Sequence, residues 1–294
     1  MTFREYLQTQ QRLIDAELDR VVPPEADPPE VIHRAMRYSL FAGGKRIRPV
    51  LCLESARAVG GEAPGLERVA CTLELIHTYS LIHDDLPALD NDDYRRGRLT
   101  CHKAFGEAMA ILAGDALLTL AFQVLSVEGA IPAERRAPLI AELATASGTV
   151  EGMIGGQVFD LEGEGQPPTA ELLDRIHRAK TGALLTASVR MGAIAAGATA
   201  EQLEALTCYG RHIGLAFQIV DDLLDVEQSS EELGKTAGKD AAQKKITFPA
   251  VYGLDASHRM AAEELANAGR ALDGFGTSAA RLRDIADLIV RRKK

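Results

Sequence analysis

Cysteine is scarce in this sequence and never paired. Cys52, Cys71, Cys101 and Cys208 are widely spaced, form no CxxC motif and lie mostly in apolar helical context, which excludes a disulfide framework and reads as buried free thiols in a reducing compartment. Tryptophan is absent and aromatic residues make up only 5% of the chain. Alternating β-branched segments are equally rare, which argues against an extensive sheet. No stretch of about 18 uncharged apolar residues occurs, and Met1-Thr2-Phe3-Arg4-Glu5 lacks an apolar signal core, so the expectation is a cytoplasmic protein with no integral membrane segment. Positive charge is also in deficit. A formal net charge of −9 argues against nucleic acid or an anionic membrane surface as partner, and it means that an anionic ligand needs metal ions or local basic residues to dock.

Aspartate, by contrast, is concentrated in two places. Asp84-Asp85-Leu86-Pro87-Ala88-Leu89-Asp90 and Asp221-Asp222-Leu223-Leu224-Asp225 each close a long apolar helical pattern. Carboxylates this close repel one another unless something positive joins them. Asp221 and Asp225, four apart, share a helix face with Asp222 beside them. All-oxygen clusters suit a hard divalent cation, and Mg²⁺ typically binds through a few carboxylates plus the phosphates of a substrate. Two such clusters facing each other would hold a diphosphate through shared metal ions. Pro87 prevents Asp90 from continuing the helix face of Asp84, so Asp92 and Asp93 remain rival third ligands in the first cluster.

The apolar residues, 46% of the chain, are enough for a large core. The runs Glu67 to Ile82, Met109 to Val127 and Glu201 to Val226 are Ala- and Leu-rich with helical period. Loops are expected at 22–29, 129–138, 163–168 and 269–276, where Gly and Pro gather. Thr199 with Gln202 forms a capping box that opens the helix of the second cluster. Gly148, Gly152, Gly155 and Gly156 recur at helical spacing and predict close packing against a neighbour. No composition shift splits the chain. The expected architecture is all-α, a single large helical bundle domain over residues 1–294, with about ten helices around a central cavity. The segment 228–245 is polar and carries Lys235, Lys239, Lys244 and Lys245; it is either a surface connection or a lid.

Basic residues flank the clusters. Gly43-Gly44-Lys45-Arg46-Ile47-Arg48-Pro49 sets two glycines, which allow close backbone approach, before Lys45 and Arg48, three apart. Arg95 and Arg96 follow the first cluster directly. His77 lies two helical turns before Asp84 on roughly the same stripe. Lys180-Thr181-Gly182 places polar groups inside an apolar helix, where Gly182 would permit a kink that frees a backbone carbonyl. Gln218 precedes Asp222 by four residues and shares its face.

The order of these motifs resembles that of the trans-isoprenyl diphosphate synthases, most closely the bacterial farnesyl diphosphate synthases, over roughly Ala35 to Gly253. The matching elements include Gly43 to Pro49, His77 to Asp85, Arg95-Arg96-Gly97, Gly155-Gly156-Gln157, Lys180-Thr181, Phe217-Gln218 and Asp221 to Asp225. The resemblance implies the isoprenoid synthase fold, a homodimer, and three Mg²⁺ held by Asp84, Asp85, Asp90, Asp221, Asp222 and Asp225 together with the allylic diphosphate. It implies that Arg95, Lys180, Lys235 and Lys245 complete that site, and that Lys45, Arg48, His77 and Arg96 bind isopentenyl diphosphate. The Lys180 carbonyl, the Thr181 hydroxyl and the Gln218 amide oxygen would face the allylic cation. Tyr79, five residues before Asp84, and the small Ser80 would set product length, with Tyr79 flooring the cavity at C15. Geranylgeranyl diphosphate is the alternative product. A terpene cyclase is disfavoured by the missing tryptophan and the pure aspartate second motif; a noncatalytic prenyl synthase subunit is disfavoured because no metal aspartate is missing.

Overall fold

A computed structural model of the chain describes residues 2–60, 65–127, 129–227 and 245–291. Apart from one two-stranded hairpin, its regular elements are helical. Two compact units are distinguished: Met1–Leu53 with Ala63–Ile140, and Glu54–Glu62 with Ala141–Lys294.

In the first unit, α1 (Phe3–Val21) opens with a complete capping box between Thr2 and Glu5. It is followed by α2 (Glu30–Leu40) and by α3 (Ile47–Val59), whose last residues belong to the second unit. The centre is α4 (Leu66–Asp84), with Val69, Ala70, Cys71, Leu73, Leu75 and Ile76 all buried, so it is apolar nearly all round rather than amphipathic. It ends at the first aspartate cluster. The hairpin β1 (Tyr94–Arg95) and β2 (Arg98–Leu99) follows, its turn made by Arg96 and Gly97 at φ +53° and +74°. Strands of two residues are too short to register as a sequence pattern. Next come α5 (Cys101–Phe105) and α6 (Glu107–Val127), which packs on α4. Among the described residues α6 alone is long and apolar enough to cross a membrane by length and composition, with Asp115 in its middle.

The helix α7 (Ala133–Ser147) includes Pro138, inside the stretch expected to be loop. The second unit continues with α8 (Met153–Gly163), α9 (Ala170–His177), one π-helical turn (Arg178–Gly182), α10 (Ala183–Ala196) and α11 (Ala200–Glu227). The capping box expected at the start of α11 is formed: Thr199 N–H donates to Gln202 Oε1 at 3.0 Å and Gln202 N–H to Thr199 Oγ1 at 3.2 Å. The four glycines at helical spacing do not share one helix, because Gly148 and Gly152 lie between α7 and α8. Gly148, Gly152 and Gly155 are crowded by backbone of residues 144–149, whereas Gly156 meets a segment distant in sequence; a Cβ there would lie 2.1 Å from the Lys180 backbone nitrogen. After residue 244 come α12 (Phe248–Tyr252), α13 (Leu254–Ala271), a 3₁₀ segment (Asp273–Ala279) and α14 (Ala280–Arg291). Leu173, Ile219, Leu223, Ile246 and Phe248 form a core beneath the second aspartate cluster.

Candidate active site

The basic motif in the first unit divides its labour in a way spacing does not reveal. Lys45 precedes α3, so it and Arg48 do not share a helix face. Arg46, at φ +51°, turns inward. Its guanidinium donates to Asp15 Oδ1, Glu74 Oε1 and the Leu40 carbonyl, each at 2.7 Å, and this buried ion-paired network holds the loop against α1, α2 and α4. Arg48 is different. Its Nε is buried without a hydrogen-bond partner, and burial, opposed by Glu74 and reinforced by Arg96, pulls its pKa down to about 10. Arg96 donates to the Gly43 carbonyl, and a Cβ on Gly44 would lie 2.7 Å from its Nη1, so the missing side chain at Gly44 leaves room for this guanidinium. His77 is held neutral, far below the usual histidine range, by burial and then by Arg48, Arg96, Arg95 and Arg46. Several cations therefore converge on a neutral imidazole, with an uncommitted donor among them. Positive charge concentrated around a free donor suits an anionic group.

Two residues further along α4, Tyr79 is 5% exposed, with its hydroxyl buried and unpartnered; burial and the Asp84 carboxylate push its pKa up to about 12. Its ring meets His83 edge-on at 5.7 Å. His83 in turn occupies a notch in α6, where a Cβ on Gly114 would lie 2.1 Å from its Nε2. Ser80 donates to the His77 carbonyl of its own helix at 2.9 Å.

The first cluster is folded back on the helix end. Asp90 N–H donates to the Asp84 carbonyl at 2.8 Å and Asp92 N–H to the Asp85 carbonyl at 3.2 Å, which returns both residues to the end of α4 despite Pro87. Asp93 is engaged elsewhere, with Lys103 at 2.8 Å. Asp85 is buried and forked by Arg95, whose Nε lies 2.9 Å from both carboxylate oxygens and whose Nη2 lies 2.6 Å from Oδ1. Burial pushes the Asp85 carboxyl up, Arg95 opposes, and Asp92 and Asp90 add to the rise.

In the second unit the kink expected near Gly182 takes the form of the π turn, a distortion common at functional sites. Lys180 and Thr181 lie within it, both partly buried. Lys180 Nζ is 2.5 Å from Asp160 Oδ2, and Lys245 Nζ is 3.7 Å from the same oxygen. Burial alone would raise Asp160, but the two lysines hold it below the ordinary carboxylate range. Sequence reasoning left Asp160 without a role; its only signal was a carboxylate, with Glu162, in a mainly apolar helix. On α11, Asp221 is partly buried, Asp222 accepts from Phe248 N–H at 2.8 Å, and Asp225 has a buried Oδ2 with no partner. Gln218 meets His177, another residue given no role from sequence, at 2.9 Å. Lys235 lies outside the described residues, as does the 228–245 segment except Lys245. Among the described residues no three carboxylate, imidazole or thiol groups already converge as a metal-binding set. The unpartnered Asp225 Oδ2, one helical turn from Asp221, nevertheless fits a hard cation, which takes oxygen ligands.

An all-helical scaffold bearing aspartate clusters at the ends of two long apolar helices defines a protein of the isoprenoid synthase fold. The model of the polyprenyl synthetase family matches residues 29–274. The chain is 46% identical over 295 residues to a farnesyl diphosphate synthase of Geobacillus stearothermophilus, covering 99% of this chain and 98% of that one. It is 51% identical over 268 residues to a chloroplastic geranylgeranyl pyrophosphate synthase of Capsicum annuum, covering 90% and 72%. The crystal structure of a geranylgeranyl pyrophosphate synthetase from Pyrococcus horikoshii superposes with a TM-score of 0.90 at 32% identity, over 99% of this chain and 98% of that one. The chain belongs to the polyprenyl synthetase family and is a trans-prenyltransferase.

Proposed function

We propose that the protein is a farnesyl diphosphate synthase, a single polyprenyl synthetase domain over residues 1–294 that condenses isopentenyl diphosphate with dimethylallyl and then geranyl diphosphate. The observation that carries this reading is Tyr79, a bulky buried side chain one and a half turns back from Asp84. At about 1.5 Å per helical residue it sits some 7–8 Å from the carboxylate that would anchor the diphosphate, on the wall along which an allylic tail must grow. The identity to the Capsicum annuum geranylgeranyl pyrophosphate synthase favours the second reading, a C20 product. Incubation with Mg²⁺, isopentenyl diphosphate and dimethylallyl diphosphate, then chromatography of the dephosphorylated products, decides between them. Tyr79→Ala offered farnesyl diphosphate as primer should make C20 or longer chains. An active variant still limited to C15 would rule Tyr79 out as the stop.

In this reading Asp84, Asp85 and Asp90, with Asp92 as the rival to Asp90, and Asp221, Asp222 and Asp225 hold three Mg²⁺ and the allylic diphosphate. Bound there, the ions supply Lewis-acid neutralisation of the leaving diphosphate. Arg95, Lys180, Lys235 and Lys245 add positive charge to the same group, and the short Lys180–Asp160 contact supports a fixed ammonium. Lys45, Arg48, His77 and Arg96 take the diphosphate of isopentenyl diphosphate, supported by the unpartnered Arg48 Nε and the neutral His77. The Lys180 carbonyl, the Thr181 hydroxyl and the Gln218 amide oxygen stabilise the allylic cation without trapping it as strong nucleophiles would. The alkene attacks C1, and the proton lost goes to the departed diphosphate. The same reading makes the protein cytoplasmic and homodimeric. The aliphatic residues Ile111 and Leu112 on α6, and Ile154, Val158 and Leu161 on α8, are exposed and would suit burial against a second copy.

A further inference from the structure

His177 lies at the last position of α9, immediately before the π turn, and is 5% exposed. Its ring stacks on Phe248 with centroids 5.2 Å apart and planes 17° from parallel, which fixes the direction of both ring nitrogens. Nδ1 is 2.9 Å from the Gln218 amide nitrogen. Nε2 has no hydrogen-bond partner and lies 3.4 Å from Asp222 Oδ2, the oxygen that also accepts from Phe248 N–H. A nitrogen lone pair 3.4 Å from a carboxylate oxygen is repelled by it, whereas an N–H at that position is attracted even where its angle falls short of a hydrogen bond. The carboxylate therefore selects the tautomer with its proton on Nε2 and leaves Nδ1 as an acceptor. An acceptor at Nδ1 takes an N–H from Gln218, because the amide oxygen there would meet lone pair with lone pair. The amide oxygen is thereby turned away from the ring and left uncommitted.

We propose that His177 is a positioning residue that reads the Asp222 carboxylate at one ring nitrogen and, with the other, sets the orientation of the Gln218 amide so that its oxygen faces the allylic cation. The last clause rests on the prenyltransferase mechanism given above; the orientation itself does not. Its geometric half is tested without catalysis. In wild-type protein carrying ¹⁵N-labelled histidine, His177, assigned by its loss in His177→Phe or His177→Asn, should show a protonated Nε2 and an unprotonated Nδ1. A proton on Nδ1 would overturn the proposal whatever reaction the protein catalyses. The functional half uses His177→Phe, which keeps volume and the stack on Phe248, and His177→Asn, whose Oδ1 can accept from Gln218. His177→Phe should lower kcat roughly tenfold or more, with both KM values within about twofold, and His177→Asn should recover most of the loss. In a Gln218→Leu background His177→Phe should cost no more than about a further twofold. Equal impairment of the Phe and Asn variants, or full additivity with Gln218→Leu, would show that the ring only fills space. Should the Phe variant fail to fold, the tautomer and the Asn variant still decide.

Discussion

Arg46 and Arg48 are two positions apart and have opposite surroundings. Arg46 is 3% exposed and fully committed to Asp15, Glu74 and the Leu40 carbonyl, so Arg46→Met should leave Glu74 buried beside an apolar group and cost about 3 kcal/mol or more in urea unfolding. Arg48 keeps an unpartnered Nε, and Arg48→Ala should leave the unfolding midpoint nearly unchanged while raising the KM for isopentenyl diphosphate by roughly tenfold or more. If the allylic KM rises equally, the separation of the two diphosphates is wrong. His77 adds a pH signature. The folded protein keeps it neutral far below the usual range, whereas the unfolded chain takes up the proton near pH 6.5, about its ordinary value. Below that pH the unfolded state binds more protons, so the stability this residue confers is complete above about pH 6.5 and shrinks on acidification toward its depressed folded value. His77→Gln should therefore reduce the fall in melting temperature between about pH 7 and pH 5; an unchanged slope would mean that His77 takes up the proton in the folded protein too.

At the scale of elements, the contact between α8 and the π turn sets the position of Lys180 and Thr181. Gly156 leaves no room for a side chain, because its Cβ would lie 2.1 Å from the Lys180 nitrogen and 2.5 Å from its Cα, both backbone atoms that cannot rotate aside. Gly156→Ala should cost about 1–3 kcal/mol in denaturant unfolding and should lower kcat at saturating substrates, since the residues displaced are those proposed to face the allylic cation. A variant of normal stability and turnover would show that the turn yields easily. The hairpin works in a similar way for the first cluster. Its turn, with Arg96 and Gly97 both at positive φ, aims Arg95 at Asp85 while Arg96 reaches the Gly43 carbonyl. Neighbours in sequence are thereby sent to different acceptors, a carboxylate and a backbone carbonyl.

For the whole molecule, the exposed aliphatic residues on α8 carry the expectation of self-association. Ile154, Val158 and Leu161 recur at helical spacing with 41%, 45% and 42% of their surface exposed, a stripe that costs free energy in water. Sedimentation at micromolar concentration should give a dimer for the wild type and a smaller species for Ile154→Glu with Val158→Glu. A wild-type monomer would remove the homodimer from the proposal. Metal dependence is also a property of the whole catalyst: exhaustive chelation should abolish turnover, and added Mg²⁺ should restore it, while Asp84→Ala or Asp221→Ala should stay folded and lose several orders of magnitude in rate. A folded variant that keeps more than about a tenth of the rate at saturating Mg²⁺ would remove that aspartate from the metal site.

What the sequence determined by itself is whatever is written in local spacing. Helical periodicity reports burial along one element, so α4, α6 and α11 were readable within a residue or two, and so was the capping box at Thr199, whose partners are three residues apart. The order of the motifs likewise carried the family, because chemistry-bearing residues next to glycines and prolines keep their identity whatever surrounds them. Tertiary structure alone decided which groups meet across tens of residues. Nothing near Arg46 announces Asp15 and Glu74, nothing near Asp160 announces Lys180, and His177 looks like any helix-end histidine until Phe248, Gln218 and Asp222 close around it. The pairing of Asp93 with Lys103 is likewise a contact between segments that spacing does not announce. Each of these outcomes depends on the desolvation of a charge and on the partner that compensates it, and both are set by the packing of distant segments rather than by the residues on either side.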